Sequence, residues 1–261
     1  MPATYAHYRF GAAMLESMPG DIRRTVKRYR RLFDVGLHGP DIFFYQNPLR
    51  ISQSTEFGMK FHRLSGKDFF VRNSRLLRLG SSEAGRAYLY GVLTHYCLDS
   101  LCHPLIKKKD EEGEAEHVAV ETEFDRFLLV RDGKVPPCSQ DLSPHIRLTA
   151  EECALVAQFY PGSTAATVKS GVQNMARLTK LLATPAGARR TLVRKTLSLA
   201  GNSMKGLMMN NTPDPDCAFM NPQLMGLYNQ ACELFPVLLD QLAAHLTYNA
   251  PLGPEFSETF G

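Results

Sequence analysis

The sequence predicts an all-α fold, on three observations. Apolar residues recur at helical spacing in most segments, the alternation of a half-buried strand is absent, and histidine and carboxylate repeat every fourth residue in two separate stretches. Hydrophobic content of 44% with 21% charged residues marks a folded, soluble chain and excludes disorder. With 261 residues it can bury one full core. The expectation is therefore a single-domain helical bundle over 1–261, with the chemistry in the half up to about residue 130 and supporting helices in 131–261.

Taken in order, Thr4 to about Met18 is helical and ends at Pro19-Gly20. Asp21 reads as the N-cap of a basic amphipathic helix reaching Val35, closed by Gly36. Leu37 to Tyr45 is a turn followed by an aromatic run, with Pro40 where a helix can begin. A patchy helical region from Ser54 to Leu79 holds His62 and is interrupted by Gly58 and Gly66. Ser81-Ser82-Glu83 opens a helix that Pro104 should stop, leaving Lys107 to Glu116 as a solvated loop. Ala115 to Leu129 is amphipathic, and a Pro/Ser-rich loop covers Asp132 to Pro144. Thr149 and Glu152 form a capping box. Long helices then span Ala165 to Leu199 and Pro222 to Leu246, the second with a leucine stripe fit only for core packing.

His95, Asp99 and His103 lie in the first of the two patterned stretches. Each four-residue step on a helix turns the side chain by about 40° and climbs roughly 6 Å, so they form one slanting row. The outer histidines are then roughly 12 Å apart along the axis, too far to share an ion whose ligand bonds are about 2 Å. Two metal positions follow, with Asp99 able to bridge. His117, Glu121 and Asp125 repeat the spacing on the next helix. Nitrogen and oxygen ligands without thiolate suit zinc, with manganese or iron as alternatives, and neighbouring ions suit hydrolysis at phosphorus.

The six cysteines lack CxxC pairing and read as free thiols of a reducing compartment. The N-terminus has no basic and apolar leader, and no apolar run approaches about 18 residues, so the expected location is cytoplasmic. Basic clusters at 23–31, 107–109 and 189–195 suit solvated helix faces or, alternatively, anionic phosphates and lipid head groups.

Jointly, His7, Gly39-Pro40-Asp41, His62, His95-x-x-x-Asp99, His103-Pro104 and His117-x-x-x-Glu121 resemble the zinc-dependent phospholipases C, relatives of the single-strand-specific fungal nucleases and of glycosylphosphatidylinositol-specific phospholipase D. The resemblance spans roughly residues 5 to 125. It implies a helical bundle holding two or three zinc ions and an enzyme cleaving phosphoric diesters, with a zinc-bound hydroxide as nucleophile. By the same resemblance, His62, His95 and Asp99 would bind a first ion, and His103, His117 and Glu121 a second. His7 and the bridging Asp99 would bind a third, and Asp41 would be the general base. Local spacing alone leaves Asp41 as a helix cap. The implied substrate is a phospholipid or related phosphodiester, with peripheral membrane contact. A nuclease-like phosphodiesterase and a non-catalytic, metal-stabilised binding protein remain alternatives.

Three departures qualify the resemblance. The secreted members use a mature N-terminal tryptophan on the third ion, and this chain has no tryptophan; with Met1 removed, the amine and carbonyl of Pro2, five residues before His7, are one expected substitute, and an empty or solvated third site is the alternative. His103 precedes its proline instead of following it, as in the phospholipase D relatives. Ile42 follows Asp41 where choline-preferring members carry an aromatic, so phosphatidylcholine is not the implied substrate. His38, His145 and His245 match nothing, and the first two read as loop residues.

Overall fold

In the computed structural model, which describes residues 4–46, 51–80, 82–185, 187–199 and 206–261, the described chain is helical, with a lone antiparallel bridge between Ser65 and Thr259. The helices are α1 (Thr4–Ser17), α2 (Gly20–Arg28), α3 (Arg30–Gly36), α4 (Ile51–His62), α5 (Gly66–Gly80), α6 (Glu83–Glu111), α7 (His117–Arg131), α8 (Ala150–Ala157), α9 (Ala165–Leu182), α10 (Ala188–Leu199) and α11 (Asn221–Tyr248). A 3-10 turn, Gly39–Tyr45, carries Asp41.

The bundle is organised around α6. Every residue from Ala87 to Ser100 is buried, so this helix is enclosed on all sides and not amphipathic. Helices α3 and α11 make its main contacts, and α1, α2, α5 and α7 complete the enclosure. Small residues permit the tightest of these contacts. A Cβ on Gly91 would collide with the Phe33 carbonyl and stand 2.9 Å from Gly36 Cα, so α3 and α6 touch backbone to backbone.

Several boundaries differ from the sequence expectation. Pro104 does not stop α6, which runs on to Glu111. The proline is exposed, and the helix continues past the N–H that its ring removes. Beyond it, Ile106 is buried and Lys109 bonds Glu112 and Glu114, which extends the helix through much of the expected loop. Asp21 lies in the first turn of α2, whose N-cap is Pro19. The basic helix breaks at Tyr29 (φ −111°, ψ 42°), and the expected 165–199 helix breaks after Leu182. Gly58 lies within α4, and that region is instead divided just past His62. The Thr149–Glu152 capping box forms as expected, and Ser82 caps α6 by accepting from the Gly85 amide at 3.0 Å. No described helix is long and apolar enough to cross a membrane.

Candidate metal centre

Helices α1, α4, α6 and α7 and the 3-10 turn bring all eight sequence-selected residues together. Helix α1 owes its position to α7. Asp125, buried, accepts from the Tyr5 and Ala6 amides at 2.8 and 2.7 Å and so caps the first turn, while Asp132 accepts from Tyr5 Oη and Arg9. His7 follows directly and lies 3.1 Å from Asp99 Oδ1 through Nε2. On α6, His95 Nε2 is 3.1 Å and His103 Nε2 3.8 Å from Asp99 Oδ2. On α7, Glu121 Oε1 is 3.3 Å from His103 Nε2 and 3.4 Å from His117 Nε2.

Asp41 is brought in by a turn that needs glycine. Gly39 has φ +45°, and a Cβ there would stand 2.5 Å from His95 Cδ2. The Asp41 amide donates to the His38 carbonyl at 2.9 Å. Asp41 Oδ1 is 2.8 Å from His62 Nε2, while His62 Nδ1 is 3.0 Å from the Gly58 carbonyl.

These contacts fit a cation better than a set of hydrogen bonds. A carbonyl only accepts, so His62 Nδ1 carries hydrogen and Nε2 is the atom left facing the Asp41 carboxylate oxygen. A proton or a metal ion between Nε2 and the carboxylate satisfies both atoms. His95 Nδ1 and Nε2, His7 Nδ1 and His103 Nδ1 are buried without hydrogen-bond partners. Two ligand atoms on one tetrahedral ion, each about 2.0–2.1 Å from it, stand about 3.3 Å apart, and the contacts of His7 and His95 with Asp99 and of His103 and His117 with Glu121 fall at 3.1–3.4 Å. Three groups meet the spacing for an ion: His7, His95 and Asp99; Asp41, His62 and His95; His103, His117 and Glu121.

The third group has the membership the resemblance implied. In the other two, His95 is shared, His7 joins His95 and Asp99, and His62 faces Asp41, which stands among the ligand candidates. Pro2 lies outside the described residues. Electrostatics suit this role. Burial opposes ionisation of Asp99, but His103, His95 and His7 outweigh it and hold the carboxyl well below its usual range. Burial pushes His95 down to about 4 against the pull of Asp99 and Asp41, leaving a neutral imidazole.

A cavity of about 740 Å³ opens beside the cluster. His62, His103 and His117 are at its floor, Phe44, Tyr45, Met59, Val118, Leu178 and Leu181 form apolar walls, and Lys107, Asp110, Glu111 and Arg177 add charge. Ile42, Phe43 and Phe61 are core residues, so of the aromatic run it is Phe44 and Tyr45 that face the cleft.

Some participants were not legible as such. Lys107 is the fourth member of the His95, Asp99, His103 row, hidden because Pro104 reads as a stop. His38 and His145 do occupy turn and loop segments, yet His38 is fully buried, His145 is half-buried, and their Nε2 atoms are 2.8 Å apart. The segment after α11 returns to cover the site: Phe260 is buried and stacks on His95 at 6.1 Å, and Gly66 N donates to the Glu258 carbonyl at 2.8 Å. No sequence signal marked this segment.

A helical bundle with three candidate metal-binding clusters of histidine and carboxylate beneath one cleft is the architecture of a metal-binding helical protein. The sequence profile of zinc dependent phospholipase C matches residues 6–160, and the chain belongs to that family. The matched span contains all eight residues above. No curated protein and no solved structure matches the chain.

Proposed function

We propose that this protein is a zinc-dependent phosphodiester hydrolase acting on a phospholipid-type substrate, with Asp41 as general base. The observation that carries this reading is the cleft, apolar on its walls and floored by three histidines of the clusters. An acyl chain suits Leu178, Leu181 and Met59, and Lys107 and Arg177 can meet the phosphate. Zinc, when bound, would supply Lewis acidity at the phosphoryl oxygens and lower the pKa of water.

His7, His95 and Asp99 are the proposed ligands of one ion, and His103, His117 and Glu121 of another. His62, with His95, would hold a further ion or the base. Asp41 would accept the proton of the attacking water at the carboxylate oxygen not engaged by His62. Ile42, buried behind it, takes no part in head-group choice.

Metal analysis of the purified protein, coupled to a panel of phospholipids, soluble diesters and single-stranded oligonucleotides, tests this. Stoichiometric zinc and phospholipid turnover are expected, with both lost in Asp99→Ala. Asp41→Asn should keep most of the metal and lose about 10²–10⁴ in kcat. A wild type without stoichiometric metal ends the proposal, turnover of oligonucleotides alone replaces the substrate class, and metal without any turnover leaves a binding protein.

A further inference from the structure

Of the three basic clusters, two pair largely with neighbouring acids. In the first, Lys27 pairs with Glu16, Arg28 with Glu83, Arg30 with Asp34 and Arg31 with Glu152. In the second, Lys108 and Lys109 pair with Glu112. The third differs in kind. Residues 153–213 contain eight Lys and Arg and not one Asp or Glu, which leaves the rest of the chain net acidic. Among the described residues, Arg189 and Arg194 form no ion pair.

This acid-free stretch builds α9, which walls the cleft, and α10, which is tied to the end of α9. Arg177, Leu178 and Leu181 of α9 line the cleft itself, and Leu181 is 42% exposed. Just beyond the end of α9, the Thr184 carbonyl accepts from Arg190 at 3.1 Å, and Arg190 also donates to the Met209 carbonyl at 2.6 Å, so α10 is pinned alongside. Val193 and Leu197 face the protein, whereas Arg189 and Leu192, the latter 66% exposed, face outward, and Arg194, also exposed, reaches across to Asn210 Oδ1 at 3.4 Å. The outer face thus combines cations with a protruding leucine.

We infer that the outer face of α10, with the adjoining end of α9, docks on an anionic lipid bilayer and presents the cleft to it. This rests on the phospholipase reading for its purpose, not for its physics. Unpaired arginines are drawn to an anionic surface, and an exposed leucine among them gains by entering the head-group boundary. A nucleic-acid surface would offer rings for bases to stack on, and residues 161–218 contain no aromatic and no histidine.

Co-sedimentation of the full-length, zinc-loaded protein with vesicles of phosphatidylcholine, alone or mixed with phosphatidylserine, tests the inference. Wild type should pellet with the mixed vesicles only, and less as salt rises. Arg189→Gln with Arg194→Gln should weaken binding about thirtyfold, at about 1 kcal/mol per cation. Leu192→Asp should weaken it too. Both variants should keep wild-type melting and wild-type turnover of a water-soluble diester. Equal binding to neutral and anionic vesicles, or variants that pellet like wild type, overturns the inference, as does retention by single-stranded DNA without vesicle binding. A protein that pellets as described but cleaves nothing supports the docking face while the hydrolase reading fails.

Discussion

Gly91→Ala sets two effects of opposite sign against each other. Helix propensity alone favours alanine by about 1 kcal/mol in a helix interior. The α3–α6 contact predicts the reverse, because the new methyl would overlap the Phe33 carbonyl and meet Gly36 Cα at 2.9 Å. Carbon atoms pack at about 3.5–4.0 Å, so the two backbones would have to part by up to about 1 Å inside a close-packed core. Overpacking of this kind costs about 1–3 kcal/mol even where flexible side chains can yield, and here the neighbour is backbone. The net expectation is a loss of about 2 kcal/mol, or a fall in Tm of about 4–8 °C for a chain of this size. Gly226 in α11 is the control: it is exposed, and a Cβ there meets nothing within 4 Å. Gly226→Ala should gain about 0.5–1 kcal/mol. Urea unfolding of the three proteins at constant m decides between the effects. A Gly91→Ala midpoint at or above that of wild type would refute the backbone contact and, with it, the way α3 sets the entry of the Asp41 turn.

Asp125→Ala removes the acceptor of two buried amides and should cost about 2–4 kcal/mol in urea unfolding, with zinc content falling as His7 loosens; a change below about 0.5 kcal/mol would remove Asp125 as the anchor of α1. Chelation should lower Tm by about 10 °C, since an ion held at a thousand times its Kd adds about 4 kcal/mol and each kcal/mol moves Tm by about 2–4 °C; a Tm unmoved by complete removal of metal would show that the ions do not support the fold. Burial holds the His145 imidazole down at about 4, so the unfolded chain, binding near 6.5, takes up more protons than the native one between these values. The His145 contribution is therefore intact above about pH 6.5 and lost, to the order of 3 kcal/mol, as pH falls to about 4. In His145→Phe the slope of unfolding free energy against pH in this window should drop by about 1.4 kcal/mol per unit, and an unchanged slope would count against a buried neutral pair with His38.

What could be read from the sequence was what repeats locally. The Thr149–Glu152 box, the Ser82 cap and the leucine stripe of α11 depend on residues three or four apart, and the structure has each as expected. The same holds for the ligand row, because i and i+4 on a helix fix relative direction whatever the helix packs against. Pairing of His7 with Asp99, and of His62 with Asp41, depends on how helices dock, which spacing within one helix does not encode. Asp125 reads as a solvated acid or an accessory to the metals until α1, some 120 residues away in sequence, is laid against it. Pro104 misled because the residues beyond it hold the helix, Ile106 by burial and Lys109 by its bonds to Glu112 and Glu114. The break after Leu182 was signalled by Pro185 and Gly187, which the continuing apolar pattern obscured.

Phe260 gives the centre a kinetic property distinct from its affinity. His95, shared by two of the three clusters, is fully buried, and the ring stacked on it belongs to a segment tied down by the Gly66–Glu258 bond and by Tyr96 Oη donating to the Glu255 carbonyl at 2.9 Å. An ion held by His95 can leave only when this cover lifts or the bundle opens locally. Exchange with added metal is then limited by the opening rate of the cover, a clock set by a few hydrogen bonds and aromatic contacts and not by the strength of the ligand bonds.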